Sequence, residues 1–359
     1  MAKSKKSKII PRKKKVSKPI KKDPIAEYRA SVADSGISQV LSLSDDACGS
    51  HVLGRFSFGA ITLDALVGGG APWGRVTEIY GPMHVGKSTI LDHVIVSAQR
   101  DGGVGVLIDT ETARDRSYTE NIGVSLKDLQ IVEYKNGSMT AENVLTTIID
   151  TVGWWRDKYP DTPVVIGWDA LGGTATQDEL VDKSLSDAEK VAGMAKVLRR
   201  ACRRIPSVLG GSKIALIIIN HEYAKIGGYG GKETVGGSAV RLLASLRLRM
   251  YPTGKKIKRS DGVILGSEVG VRVEKSRFGN TWRETRIALM NGAGINNAWS
   301  LFTGLAAAGL ILTSGSWSSM IVDEETYKFQ GWSGFQKIFE DAPDLFQKLV
   351  SVYQNLNRE

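Results

Sequence analysis

From Phe56 to about Asn291, short runs of apolar, β-type residues alternate with stretches whose apolar positions recur every three or four residues. The runs Arg75–Tyr80, Val104–Asp109, Leu129–Tyr134, Pro163–Asp169 and Lys213–Asn220 predict strands. Lys87–Arg100, Ala141–Lys158 and Ser186–Arg204 predict the helices between them. Strand and helix in turn predict an α/β fold: a mostly parallel twisted sheet with helices on both faces. Ser245–Tyr251 and Ser267–Arg277 alternate more openly, which predicts two strands lying antiparallel at one side. From Asn296 the pattern changes to a helix (Trp299–Gly309), short strands through Trp317 and Phe329, and helices ending near Leu356. That predicts a small C-terminal α/β domain. Near the other end, Ile25, Tyr28 and Val32 share one face of a short helix within Pro24–Val40, followed by an Asp/Ser/Gly-rich linker.

Charge changes this picture at one place. The formal net charge is +10, yet residues 1–22 alone carry 11 Lys and Arg and no acid. Removing those 11 from the total of 48 leaves 37 basic against 38 acidic residues, so the rest is close to neutral. A block with so little apolar surface is expected to be disordered. It reads either as an electrostatic arm for nucleic acid or as a solubilising or targeting leader. The expected organisation is a basic tail (1–22), a short helical segment and linker (23–52), an α/β core (53–292) and a small C-terminal domain (293–359). No apolar run reaches membrane-spanning length, and two cysteines, Cys48 and Cys202, are too few for a disulfide framework or structural zinc. A reducing, cytoplasmic setting is expected, with no membrane partner.

Candidate chemistry gathers where the predicted strands end, as it does in open α/β sheets. The first strand runs into Gly81-Pro82-Met83-His84-Val85-Gly86-Lys87-Ser88-Thr89, a complete G-x-x-x-x-G-K-[ST] loop that opens a helix. Its glycines let backbone N–H groups curl around phosphate, and the helix N-terminus adds its positive end. Lys87 is placed for the β- and γ-phosphates and the Ser88 hydroxyl for Mg²⁺, so ATP with Mg²⁺ is the expected ligand. The next strand ends Asp109-Thr110-Glu111, and a period of two puts both acids on one side. Glu111 is the candidate to orient or deprotonate attacking water. Pro163–Asp169 ends in an acid suited to the Mg²⁺ shell, and Lys213–Asn220 leads to His221, either a γ-phosphate sensor or a structural residue. His51, His84 and His93 show no metal-ligand spacing, and the sequence suggests no role for their side chains.

Three further features carry two readings each. Lys275 and Arg277 continue the valine side of a period-two strand, either to clamp phosphate or to blunt an edge. The stretch Tyr223–Gly237 is Gly-rich with Lys225, Lys232 and two tyrosines, which suits single-stranded nucleic acid. On Val191–Ile205, Val191, Met194, Leu198 and Ile205 form an apolar stripe, and Lys196, Arg200 and Arg203 form another that tracks phosphates or simply faces water.

Taken together, these residues resemble the RecA family of recombinases, particularly its phage-type UvsX branch. The resemblance rests on Leu63-Asp64-Ala65-Leu66, Gly74–Pro82, Ile108-Asp109-Thr110-Glu111, Asp115–Tyr118, Ile219-Asn220-His221, Gly236–Ala239, Gly266-Ser267-Glu268 and Val273–Arg277. It implies a RecA-like ATPase core whose nucleotide lies between subunits of a helical filament on DNA. Glu111 would be the catalytic carboxylate and Asp169 the Mg²⁺-side acid. Asp115 and Tyr118 would hold adenine, and Lys275 and Arg277 would reach the neighbour's γ-phosphate. His221 stands where bacterial RecA has Gln, as in the phage branch. Lys225, Gly236, Gly237 and Ser238 would line the second DNA loop, Thr174–Asp187 would form the first, and Arg199 would touch backbone beside Lys196. The family implies DNA-stimulated ATP hydrolysis, pairing of single- and double-stranded DNA, and a single-strand-binding protein and a mediator as further partners. Helicase or branch-migration ATPases on the same fold, and a mediator paralogue, are the alternatives.

Overall fold

In the computed structural model of the chain, residues 23–34, 41–42, 51–134, 139–181, 190–224, 231–259 and 261–356 are described. They belong to two compact units, Met1–Cys48 and Gly49–Glu359. The basic tail and Lys225 lie outside the described residues, as do residues 182–187 of the first expected DNA loop. In the first unit α1 (Pro24–Ala33) begins where expected: Asp23 accepts from the Ile25 N–H at 3.0 Å, and proline occupies the first helical turn. Ile25 and Tyr28 on its face are exposed.

The second unit opens with β1 (Arg55–Phe56), α2 (Ile61–Val67) and β2 (Ala71–Pro72). The nucleotide-binding sequence then runs β3 (Val76–Gly81), α3 (Lys87–Arg100), β4 (Val104–Asp109), α4 (Arg116–Ile122), β5 (Leu129–Ile131), α5 (Ala141–Lys158) and β6 (Val164–Asp169). It continues through α6 (Gln177–Val181), α7 (Lys190–Leu209), β7 (Ile214–Ala224), β8 (Lys232–Thr234), α8 (Gly237–Leu243), β9 (Leu246–Lys258), β10 (Ile264–Ser276), β11 (Glu284–Met290) and β12 (Gly294–Ile295). The main sheet has the order β5-β4-β6-β7-β3-β9-β10-β11-β12, with β8 paired to β7. From β5 to β3 every pair is parallel, and from β9 to β12 every pair is antiparallel.

Period two explains the two layers of core. Leu107, Val165, Ile217 and Ile219 point to the face covered by Ile90, Leu91, Val94 and Ile95 of α3. Val106, Ile108, Ile166 and Ile218 point to the face covered by Val144 and Ile148 of α5 and Leu198 and Ile205 of α7. Parallel strands buried on both faces must be apolar throughout, which is why they read so plainly.

The structure corrects three expectations. β9 is parallel to β3 along Leu246–Arg249 and antiparallel only to β10, because it enters the sheet at the same end as β3. β9 and β10 also extend together beyond the expected segments; the extension alternates Lys255, Lys256 and Lys258 with the buried Ile257, which packs with Ala288 and Trp299. β5 stops at Ile131 because it is an edge strand paired only along Gly105–Leu107, with its residues half to fully exposed.

The C-terminal segment comprises α9 (Asn297–Ala307), the antiparallel strands β13 (Leu312–Ser314), β14 (Trp317–Val322) and β15 (Glu325–Phe329), α10 (Gly331–Asp341) and α11 (Pro343–Leu356). Leu301, Leu305, Phe335 and Leu349 build its core, and Ala65 of α2 belongs to the same cluster.

Candidate nucleotide site and its surroundings

The carboxyl ends of β3, β4, β6 and β7 stand side by side: Gly81 pairs with His221, and Asp109 with Asp169. Above them opens a cavity of about 700 Å³ lined by Met83, His84, Gly86, Lys87, Ser88, Thr89, Glu111, Tyr118, Asp169 and His221 among others. Residues 81–89 curl at its base. Gly86 has φ +86°, and a Cβ there would fall 2.1 Å from Leu289 Cδ1, so only glycine fits the loop. His84 also turns the backbone, at φ +58°. Val85 points away into the core, which limits its contribution to backbone, and Met83 is exposed at the mouth.

Lys87, the first residue of α3, is buried, and its Nζ donates to Pro82 O at 2.8 Å and Gly81 O at 3.3 Å. Burial lowers its pKa, against the pull of Asp169 and Glu111. The free N–H groups at the start of this 14-residue helix, with a cation beside them, make an anion site. Asp169, at the end of β6, is buried; burial raises its pKa, and Arg114 first and Ser88 second oppose that rise. Hydroxyl and carboxylate oxygens on one side of a phosphate cradle fit Mg²⁺, a hard cation that keeps waters and shares substrate oxygens.

Glu111 reaches the cavity by a route the strand period does not describe. β4 ends at Asp109, whose Oδ1 accepts from the N–H groups of Glu111 (3.1 Å) and Thr112 (2.9 Å). That side-chain turn, with Thr112 at φ +47°, redirects the chain. Asp109 is thus a backbone cap, and Glu111 contacts His221 through Oε1···Nε2 at 2.7 Å. If Nε2 carries the proton, Nδ1 is an acceptor, and it is buried without a partner. Room for the pair comes from the turn after β6. A Cβ on Gly172 would lie 2.5 Å from His221 Cδ2, and one on Gly173 would lie 3.2 Å from Glu111 Cγ.

The expected adenine residues lie together at the start of α4 and line one small chamber. Tyr118 also lines the cavity, its OH 2.9 Å from Thr89 Oγ1. Asp115 caps α4, accepting from the Tyr118 N–H at 2.7 Å and Ser117 Oγ at 2.5 Å. These bonds lower its pKa.

Sequence reasoning assigned no role to a buried polar chain beneath the site. Glu78 of β3 accepts from Arg247 Nε and, at 2.9 Å, from Asn220 Nδ2, which also donates to Val235 O at 2.9 Å. Asn220 Oδ1 accepts from the His221 N–H at 2.8 Å. The network therefore ties the residue beside Glu111 to the segment carrying Gly236. A charged residue inside the apolar run of β3 was the available signal, since a buried carboxylate requires a partner.

The model of the RecA N-terminal domain family matches residues 32–296. The Protein RecA of Nitratidesulfovibrio vulgaris (strain DP4) is 34% identical over 289 residues, covering 79% of this chain and 76% of that protein. The Protein RecA of Thermus thermophilus is 32% identical over 295 residues, covering 81% and 82%. The chain belongs to the RecA family of ATP-dependent DNA recombinases.

Within this RecA-family chain, Lys275 and Arg277 stand far from the cavity. Ser276 pairs with Leu246, which pairs with Thr77 at the start of β3, whereas the phosphate loop follows its end. The separation along the strand is at least about 13 Å. Lys275 Nζ donates to Arg241 O at 2.5 Å and Leu242 O at 3.4 Å, and Arg277 Nη2 to Leu242 O at 3.4 Å. Neither can serve its own subunit's cavity from this position. Gly236, at φ +82°, and Gly237 begin α8, with Ser238 exposed beside them. Lys196 and Arg199 are exposed on α7, and Lys196 shares a 470 Å³ groove with Arg200 and Arg204. Met194, Leu198 and Ile205 are buried, as their spacing predicts. His93 has a structural part: its Nε2 accepts from the Ile295 N–H at 3.1 Å. Among the described residues no helix is long and apolar enough to cross a membrane.

Proposed function

We propose that this chain polymerises on single-stranded DNA and couples ATP hydrolysis to homologous pairing and strand exchange with double-stranded DNA. The observation that carries the reading is the convergence of Lys87, Ser88, Asp169, Glu111 and His221 on one cavity at the ends of four adjacent strands. Mg²⁺, when bound with the nucleotide, would supply positive charge against the charge developing on the phosphates. Ser88 and Asp169 are the residues that would hold it. Lys87, freed from the Pro82 carbonyl, would move onto the phosphates, and the start of α3 would donate N–H groups to them. Glu111 would orient the attacking water and accept its proton, while His221 holds that carboxylate in place and turns toward the γ-phosphate. Tyr118 would support the base.

Lys275 and Arg277 would complete the site from the neighbouring subunit, where their two cations meet transferring phosphate. Lys196, Arg199, Ser238 and the glycines at the start of α8 would face DNA. Binding there would be felt at His221 through Val235 and Asn220. Steady-state turnover tests the reading. Single-stranded DNA is expected to raise ATP hydrolysis severalfold, and Lys87→Ala to abolish it. A rate indifferent to DNA, or retained without Lys87, would contradict it.

A further inference from the structure

Asp92 follows Ser88 by four residues on α3 and so lies on the same helical face, one turn deeper. Its side chain is 3% exposed. A lone carboxylate buried under an anion-binding helix terminus is costly unless a cation answers it. The cation is Arg114, which closes the turn after β4. Its Nη1 pairs with Asp92 Oδ1, and its Nη2 lies 3.4 Å from Asp169 Oδ2. Ser88 acts with Arg114 to hold down the Asp169 pKa, and Arg114 reaches on to Asp92, one turn of α3 below Ser88. Arg114 is 16% exposed and does not line the nucleotide cavity. It lines an adjoining chamber of about 230 Å³ that shares Asp169, Ser88 and Glu111 with that cavity. The guanidinium stands behind the acid with each end of its fork on a different carboxylate, an arrangement a lysine point charge cannot reproduce.

We propose that Arg114, anchored by Asp92, is a positioning residue that fixes the Asp169 carboxylate for the Mg²⁺ shell. This rests on the reading of Asp169 as the Mg²⁺-side acid. Asp169 is the end residue of a strand with two available oxygens, and Ser88 alone leaves it free to rotate. The second contact removes that freedom from the side opposite the phosphates. Arg114 thereby governs the divalent-ion requirement and kcat and leaves nucleotide affinity without metal unaffected. Outer-sphere partners of this kind are worth about 10- to 100-fold in metal affinity or activity.

Removing Arg114 alone would strand Asp92, so the informative variant replaces both members by an apolar pair, Arg114→Leu with Asp92→Leu. Binding of Mn²⁺ to protein saturated with a non-hydrolysable ATP analogue, followed by electron paramagnetic resonance, is independent of turnover. The double variant is expected to weaken Mn²⁺ binding about tenfold, with analogue affinity in EDTA within about threefold of wild type. Arg114→Lys, which keeps the Asp92 pair but loses the fork, is expected to fall between. Mn²⁺ affinity within about twofold of wild type in both variants would overturn the proposal, and Arg114→Lys decides the matter if the double variant does not fold. If instead the Asp169→Asn variant retains nucleotide-dependent Mn²⁺ binding equal to wild type, the underlying reading of Asp169 fails.

Discussion

At the scale of single residues, function depends as much on what is missing as on what is present. Gly172 carries no side chain, and that gap is what admits the His221 ring to Glu111. A methyl there would push the ring aside while leaving the packed core untouched. Gly172→Ala is therefore expected to reduce ATP turnover at least about tenfold, since misplacing a catalytic contact by an ångström is that costly. The melting temperature should stay within about 3 °C, as for a substitution absorbed by one side chain. Turnover equal to wild type would show that the Glu111–His221 contact is incidental. The same paragraph of sequence that displays the phosphate loop does not display this dependence. Lys87, Ser88 and Asp169 were legible because their chemistry is local to a motif. Glu111 was legible as an acid at a strand end, but its path through the Asp109 turn was not. That Asp115 caps α4 through Oδ1 was not legible either, since the sequence shows only an acid near Tyr118. Arg114 and Asp92 escaped notice because 22 residues separate the partners and neither belongs to a motif.

At the scale of elements, the pattern of apolar residues was a good guide wherever both faces of a strand are covered. β3, β4, β6 and β7 match the predicted segments within a few residues because burial leaves no freedom in composition. It was a poor guide at the margins, where β5 ends early and β9 and β10 run on through lysine-rich sequence with the single buried Ile257, since partly exposed strands need mainly backbone pairing. The buried residues joining elements were also hidden. His93 of α3 accepts from the Ile295 N–H of β12, and burial pushes its pKa down from 6.5 to about 4. The folded state resists protonation more than the unfolded chain does, so acid favours unfolding. Stability is expected to be at its full value above pH 6.5 and to fall as pH drops from 6.5 toward 4, by up to about 3 kcal/mol. His93→Gln keeps an acceptor for Ile295 and removes the titration. Chemical denaturation across that range should show a flatter profile for the variant. Parallel profiles would mean that His93 is not the acid-sensitive group.

At the scale of the whole molecule, the parallel half of the sheet supplies the nucleotide cavity, and the antiparallel half supplies Lys275 and Arg277 at the opposite end of the strands. No motion within one subunit short of breaking the sheet would bring the two together. Repetition of the subunit head to tail would do so, through the heterologous, helically extending interface proposed above. Mixing two inactive proteins tests this most directly. Glu111→Gln keeps its cations but lacks the catalytic acid, and Lys275→Ala with Arg277→Ala keeps the acid but lacks the cations. Mixed in equal amounts with single-stranded DNA, they should recover roughly a quarter of wild-type ATP turnover, because that fraction of random interfaces joins two intact halves. No recovery above the separate proteins, or full activity of the Lys275→Ala, Arg277→Ala variant by itself, would contradict a site shared between subunits.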